Sequence, residues 1–191
     1  MKLLTFKGGI HPPYRKEYTN SKALEKANDP KIVYISMQQH IGAPAKPIVK
    51  VGDEVKVGEK IGQMQGFVSA NIHSSISGKV ISIKDMEVPG GISTCIVVEN
   101  DFQNSIHESV KPKGSLDELG KEEIVEIIKE AGIVGMGGAT FPTHVKISPP
   151  PDKKIDFVIL NGAECEPYLT ADHRLMVENP EDVVFGLRVL M

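Results

Sequence analysis

The chain has 191 residues, 40% hydrophobic and 25% charged, enough to bury the core of one or two globular domains. Lys and Arg number 22 against 25 Asp and Glu, a formal charge of -3, so no basic excess exists to neutralise a nucleic-acid backbone. No apolar run approaches the ~20 residues that span a bilayer, and residues 1–9 are too short in their apolar part for a secretory signal, so any work at a membrane is that of a peripheral subunit.

Residues 1–30 read as an irregular, extended arm. Gly8-Gly9, Pro12-Pro13 and the charged run Tyr14-Arg15-Lys16-Glu17 break any periodicity and offer little to bury. From 31 to 110 the pattern changes to short strands with turn punctuation: Ile32-Val33-Tyr34-Ile35, Pro47-Ile48-Val49, Val55-Lys56-Val57, residues 79–83 and Cys95-Ile96-Val97-Val98. Val51-Gly52-Asp53-Glu54 and Val57-Gly58-Glu59-Lys60 repeat one apolar–Gly–acidic unit six residues apart, which predicts two similar turns. A helix is expected over 116–131, with Ser115 as N-cap, Asp117 and Glu118 in its first turn, and Ile124, Ile127, Ile128 and Ala131 on one face. Gly132 ends it as a C-terminal glycine. Residues 155–160 read as a buried strand running into Asn161-Gly162, and a last helix starts after Asn179-Pro180 and is still running at Met191, which suggests a piece of a longer protein.

Chemistry concentrates at two places. Gly132, Gly135, Gly137 and Gly138 put four glycines into seven residues, followed by Phe141 and Lys146. Such a loop lets a ligand approach its amides, and Lys146 could meet a phosphate if a short helix starts after Pro142. It is neither the dinucleotide fingerprint nor the P-loop, and a tight connection explains the glycines equally well. Phe141 fits a ring-stacking face or ordinary core, and Lys146 a phosphate contact or a solvated charge. Asn161, Glu164 and Glu166 offer donors and acceptors to a ring or hydroxyls, or are surface groups on a turn before Pro167. Cys165 reads as a small packed side chain, and Asp172-His173-Arg174 has no accompanying nucleophile motif. Two cysteines, Cys95 and Cys165, make no disulfide framework and cannot alone hold an iron–sulfur cluster; with six scattered histidines, no metal site is expected.

Residues 31–100 resemble the barrel-sandwich hybrid of lipoyl and biotinyl carrier domains, where phrases such as VKVGDEVKVGEKIG and SSISGKV flank a central hairpin. Those carriers present a modifiable lysine on that hairpin. Residues 66–72 here contain none, which implies a docking or structural module. The segments GIVGMGGATFPTHVKI (132–147) and LNGAECEPYLTADHRLM (160–176), with GGIHPPYRKEYT (8–19), resemble the RnfC family, the C subunits of the Rnf electron-transport complex, over essentially the whole chain. More distantly they are similar to the flavin- and NADH-binding subunit of respiratory complex I, with patterns near GLRGRGGAGFPTGLKW and NADDSEPG. Val134 and Met136 stand where that loop has arginines, and Thr140 where a glycine is usual.

The resemblance implies an α+β / α/β chain in three parts: an arm (1–30), a barrel-sandwich hybrid (31–110) and the first part of a complex-I-type FMN-binding α/β domain (111–191). It implies FMN bound by Gly135, Gly137, Gly138, Lys146, Asn161 and Glu164, with Phe141 and Glu166 facing NAD(H) and no side chain acting as a nucleophile. The 4Fe-4S clusters of the complete protein fall outside these residues. The implied setting is peripheral, on the cytoplasmic face of the bacterial plasma membrane, among other Rnf subunits and without nucleic acid. A flavin-dependent cobalamin reductase of the propanediol-utilisation type shares the domain order, and a non-enzymatic docking module is the reading from another class.

Overall fold

The structure, a computed structural model, describes residues 8–10, 12–136 and 138–191. By backbone packing the chain forms two compact units, one of residues 28–154 and one joining residues 1–27 to 155–191.

The 28–154 unit holds seven strands: β1 (Ile32–Ser36), β2 (Lys46–Pro47), β3 (Glu54–Val55), β4 (Lys60–Gln63), β5 (Ile72–His73), β6 (Gly78–Val88) and β7 (Gly91–Asn100). They make a four-stranded sheet in the order β1-β7-β6-β3 and a three-stranded sheet β2-β4-β5, antiparallel throughout. The two repeats form matching turns. Asp53 N–H donates to Lys50 O and Glu59 N–H to Lys56 O, while each carboxylate accepts the N–H of the residue three earlier, at 2.9 Å in both. Gly52 and Gly58 hold the positive φ each turn needs. Ile35, Met37, Ile61, Val80, Ile96 and Val98 fill the core with almost no exposure. The β6–β7 hairpin runs beyond the expected 79–83 and 95–98, because Lys84, Asp85, Met86 and Glu87 pair with Cys95, Thr94, Ser93 and Ile92 whatever their hydropathy. Of the expected strand at 47–49 only Pro47 lies in a strand, with Ile48 N–H donating to Ile61 O, and Val57 makes an isolated bridge to Ile106.

Helix α1 (Lys121–Glu130) starts five residues later than Ser115 and 116 predict. Residues 115–118 form a turn instead, with Glu118 N–H on Ser115 O. Gly120 is a poor helix interior residue, and Glu123 Oε2 accepts its N–H at 2.8 Å to open the helix there. Ile128 is buried and Ile124 and Ile127 half-buried, whereas Ala131 is exposed. The C-terminus is a Schellman motif: Gly132 N–H donates to Lys129 O and Ile133 N–H to Ile128 O, with Gly132 at φ 67.

The lysine-free hairpin packs at this helix end. Asn71 is 2% exposed; its Oδ1 accepts Met64 N–H and its Nδ2 donates to Lys129 O. Lys60 Nζ meets Glu130 Oε2 at 2.7 Å, and that bond holds the Glu130 carboxyl below the usual carboxylate range. A Cβ on Gly132 would overlap the Asn71 carbonyl. The short helix α2 (Thr143–Lys146) follows the glycine loop and buries Thr143 and His144. Burial pushes the His144 imidazole below its ordinary value, as it does His73, where the Lys60 charge adds to the effect.

In the other unit, α3 (Ala171–Glu178) and α4 (Pro180–Leu190) follow the acidic cluster; α4 has proline at its first position, as Asn179-Pro180 predicts. Residues 155–160 correct an expectation. The run is extended and in no strand, with Ile155, Phe157, Val158, Ile159 and Leu160 between 42% and 85% exposed. Its apolar pattern asks for burial, but among the described residues no strand pairs with it.

Gly132→Ala combines an αL alanine, costing about 1–2 kcal/mol, with displacement of the Asn71 carbonyl. We expect a urea-denaturation loss of at least ~2 kcal/mol, and no change in midpoint would refute the close approach. The histidines set a pH dependence. Their folded values lie below the ordinary ~6.5, so their contribution is complete above that pH and is lost as pH falls through the folded values. The melting temperature should therefore fall from about pH 7.5 to about pH 5.5, and His144→Gln should flatten that slope.

Candidate functional site

The glycine loop lies in the 28–154 unit and is tied at its neck. Gly135 N–H donates to Phe141 O at 3.0 Å, Thr143 N–H to Ile133 O at 2.9 Å, and Val134 bridges Pro142 in antiparallel fashion. The neck is thus closed between Gly135 and Phe141. Gly137 lies outside the described residues. Met136, Gly138 and Ala139 are exposed, and among the described residues their N–H groups donate to no backbone acceptor. Gly138 has open space where a Cβ would sit. Helix α2 starts directly after Pro142 and turns Lys146 back: its Nζ is 3.6 Å from the point a Gly135 Cβ would occupy. Phe141 is half-buried at the neck. Thr140, β-branched, sits at φ 49, a region such residues rarely occupy. An ammonium beside exposed amides and a side-chain-free surface is the donor set that a phosphate monoester takes.

Asn161, Glu164 and Glu166 lie in the other unit, so the chain packs the two expected halves of the site into different bodies. Asn161 is exposed, and its Oδ1 accepts Ala163 N–H at 3.0 Å. Gly162 has Met176 against it where a Cβ would stand. Glu166 is exposed, whereas the Glu164 side chain is only 7% exposed. Glu164 Oε1 accepts Asp172 N–H at 2.7 Å, capping the first turn of α3, and Oε2 faces Lys16 Nζ at 3.3 Å. Cys165 is exposed rather than packed, while Cys95 is buried, which pushes its thiol up.

The arm is irregular as expected, but it has a short 3-10 helix (Lys16–Tyr18) and firm anchors in its own unit. Tyr18 stacks on Tyr168 at 6.1 Å between ring centroids. Arg174 Nη1 donates to Asn20 O, and Leu24 N–H donates to Glu178, whose carboxyl its bond with Arg174 holds below the usual range. Sequence reasoning passed over Lys16, Thr19 and Arg174. The charged run 14–17 read as part of an extended arm with little to bury, and nothing in a linear pattern reports a contact across about 150 residues.

Residues 4–103 match the family model described as the RnfC barrel sandwich hybrid domain, and residues 128–191 the one described as the Nuo51 FMN-binding domain. The chain is 53% identical over 188 residues to the C subunit of the Na(+)-translocating ferredoxin:NAD(+) oxidoreductase complex of Acetobacterium woodii, covering 98% of this chain and 42% of that protein. It is 53% identical over 190 residues to the C subunit of the proton-translocating ferredoxin:NAD(+) oxidoreductase complex of Clostridium ljungdahlii, covering 99% and 42%. Identity to the C subunit of the ion-translocating oxidoreductase complex of Rhodobacter capsulatus is 39% over 189 residues, covering 97% and 36%. The chain thus spans less than half the length of these relatives. The barrel-sandwich hybrid followed by part of a complex-I-type FMN-binding domain, expected from the motifs, is what the matches describe.

Proposed function

The chain belongs to the RnfC family, and on that premise we propose that it supplies the barrel and the first part of the flavin domain of an electron-transfer subunit. That subunit works in a membrane-associated Rnf-type complex, passing electrons between NAD(H), FMN and iron–sulfur clusters as ferredoxin:NAD oxidoreduction is coupled to ion transport. The observation that carries the reading is the tied glycine loop with Lys146 folded back against Gly135.

FMN, when bound, supplies hydride exchange with the nicotinamide and release of single electrons. The residues here bind and orient. The amides of Met136, Gly138 and Ala139, with Gly135, Gly137 and Lys146, hold the phosphate end, and the missing side chains let it approach. Asn161 and Glu164 serve the flavin side of the acidic loop, and Phe141 and Glu166 the nicotinamide side. With two cysteines in the chain, and four thiolates per cluster as the rule, the 4Fe-4S clusters belong to sequence outside these residues.

The division into arm (1–30), barrel (31–110) and flavin-domain part (111–191) is part of the proposal; the matches to 4–103 and 128–191 support separating barrel from flavin-domain part, and the packing of residues 1–27 outside the barrel unit supports a separate arm, while the packing of 111–154 with the barrel runs across the division. We place the protein peripherally on the cytoplasmic face of the plasma membrane, against other subunits of the complex. Among the described residues no helix is long and apolar enough to cross a membrane.

Titration of the chain with FMN, followed by flavin fluorescence, tests the reading. We expect micromolar binding, weakened about tenfold in Lys146→Ala, the loss of roughly one charge-assisted contact. Binding indifferent to Lys146 would move the phosphate elsewhere. No binding would leave docking as the function these residues perform by themselves.

A further inference from the structure

One side chain of the arm converges on the acidic loop. Lys16 Nζ donates to Leu169 O at 2.6 Å, Glu166 O at 3.2 Å and Glu164 Oε2 at 3.3 Å. An ammonium has three protons, and all three are directed into the loop. The Glu164 side chain is 7% exposed and that of Lys16 29%, so the carboxylate is sheltered while the ammonium keeps part of its contact with water, and removing Lys16 leaves that sheltered carboxylate without its counter-charge. The other Glu164 oxygen takes Asp172 N–H, so the carboxylate joins the arm, the loop and the start of α3.

A second observation is independent of these bonds. Tyr168 holds φ 69, uncommon for a bulky residue, and the arm grips it on three sides. Its N–H donates to Tyr14 O, its carbonyl accepts from Thr19 Oγ1, and its ring lies on Tyr18. Backbone in this region persists where its surroundings over-determine it, and here the arm does so.

We propose that Lys16 is a positioning residue for the loop bearing Asn161, Glu164 and Glu166: it fixes the Glu164 carboxylate and the 166–169 backbone in one geometry without touching cofactor. The proposal rests on the flavin reading above, in which this loop is the ring-side half of the site. It makes the arm, remote in sequence from both site motifs, a part of the site's construction.

The test compares Lys16→Met, Lys16→Arg and Lys146→Ala in the full chain. It reads amide hydrogen exchange over 164–172, with the β6–β7 amides as a control for folding, and the affinity and visible spectrum of bound FMN. In Lys16→Met the Asp172 amide should exchange on the order of tenfold faster, the loss of a charge-assisted contact, with weaker FMN binding and a shifted flavin spectrum. Lys16→Arg should restore these in part, since a planar fork keeps the charge but does not match three divergent acceptors. Lys146→Ala should weaken FMN and leave Asp172 exchange unchanged. Unchanged exchange in Lys16→Met overturns the proposal. Faster exchange with an unaltered flavin spectrum and affinity reduces Lys16 to a structural strut and overturns the positioning role. No FMN uptake by the unaltered chain overturns the flavin reading itself, and exchange alone then decides whether Lys16 holds the loop.

Discussion

The glycine loop depends on the contact between Gly132 and the Asn71 carbonyl. Helix α1 must stop where the barrel's hairpin lies, and only a residue without a Cβ at positive φ lets it stop there. The Schellman bonds then aim Ile133 and Val134 toward Thr143 and Pro142, which tie the loop's neck. Asn71 faces both ways, closing the hairpin through Met64 and reaching the helix through Lys129. Where carrier domains of this architecture display a lysine for modification, residues 66–72 here carry none; Phe67 at the tip is 73% exposed, while Asn71 at the base is buried and abuts the end of α1.

Charge is used differently in the two units. Around the barrel, most ion pairs are exposed, and such pairs contribute little. Lys60 with Glu130 is shorter and more sheltered, and it adds an ion pair beside the close backbone approach at Gly132. In the other unit, Lys16–Glu164 and Arg174–Glu178 tie the arm to segments about 150 residues away, where little apolar burial is available to do so. Electrostatic and aromatic contacts there replace the packed core that orders the barrel.

Much of the fold was legible because it is written in local chemistry. The twin Gly–acid turns follow from a six-residue repeat, the central strands from β-branched runs, and the end of α1 from a glycine after an amphipathic stretch. Errors arose where a pattern needs a partner. Residues 155–160 have the hydropathy of a buried strand, yet hydropathy states a demand for burial and not its fulfilment. Ser115 has the chemistry of a cap, but Gly120 lies within the expected helix, and its backbone entropy shifts the start past it. At the candidate site, the return of Lys146 was legible from Pro142 and the short spacing. The two oxygens of Glu164 were not, since one partner lies 148 residues upstream.

That separation also orders events during synthesis. Residues 8–27 leave the ribosome long before their binding partners are made. At about 5–20 residues per second, the arm waits on the order of ten seconds or more for Glu164 to emerge. The barrel, whose strands end at Asn100, is complete well within that interval. Lys16 and its neighbours therefore spend that interval without their partners, carrying two tyrosines and a lysine past a folded domain. A polar arm suits the wait: it stays solvated until Glu164 and Tyr168 arrive, whereas an apolar arm would present a sticky surface to every chaperone and neighbour it met.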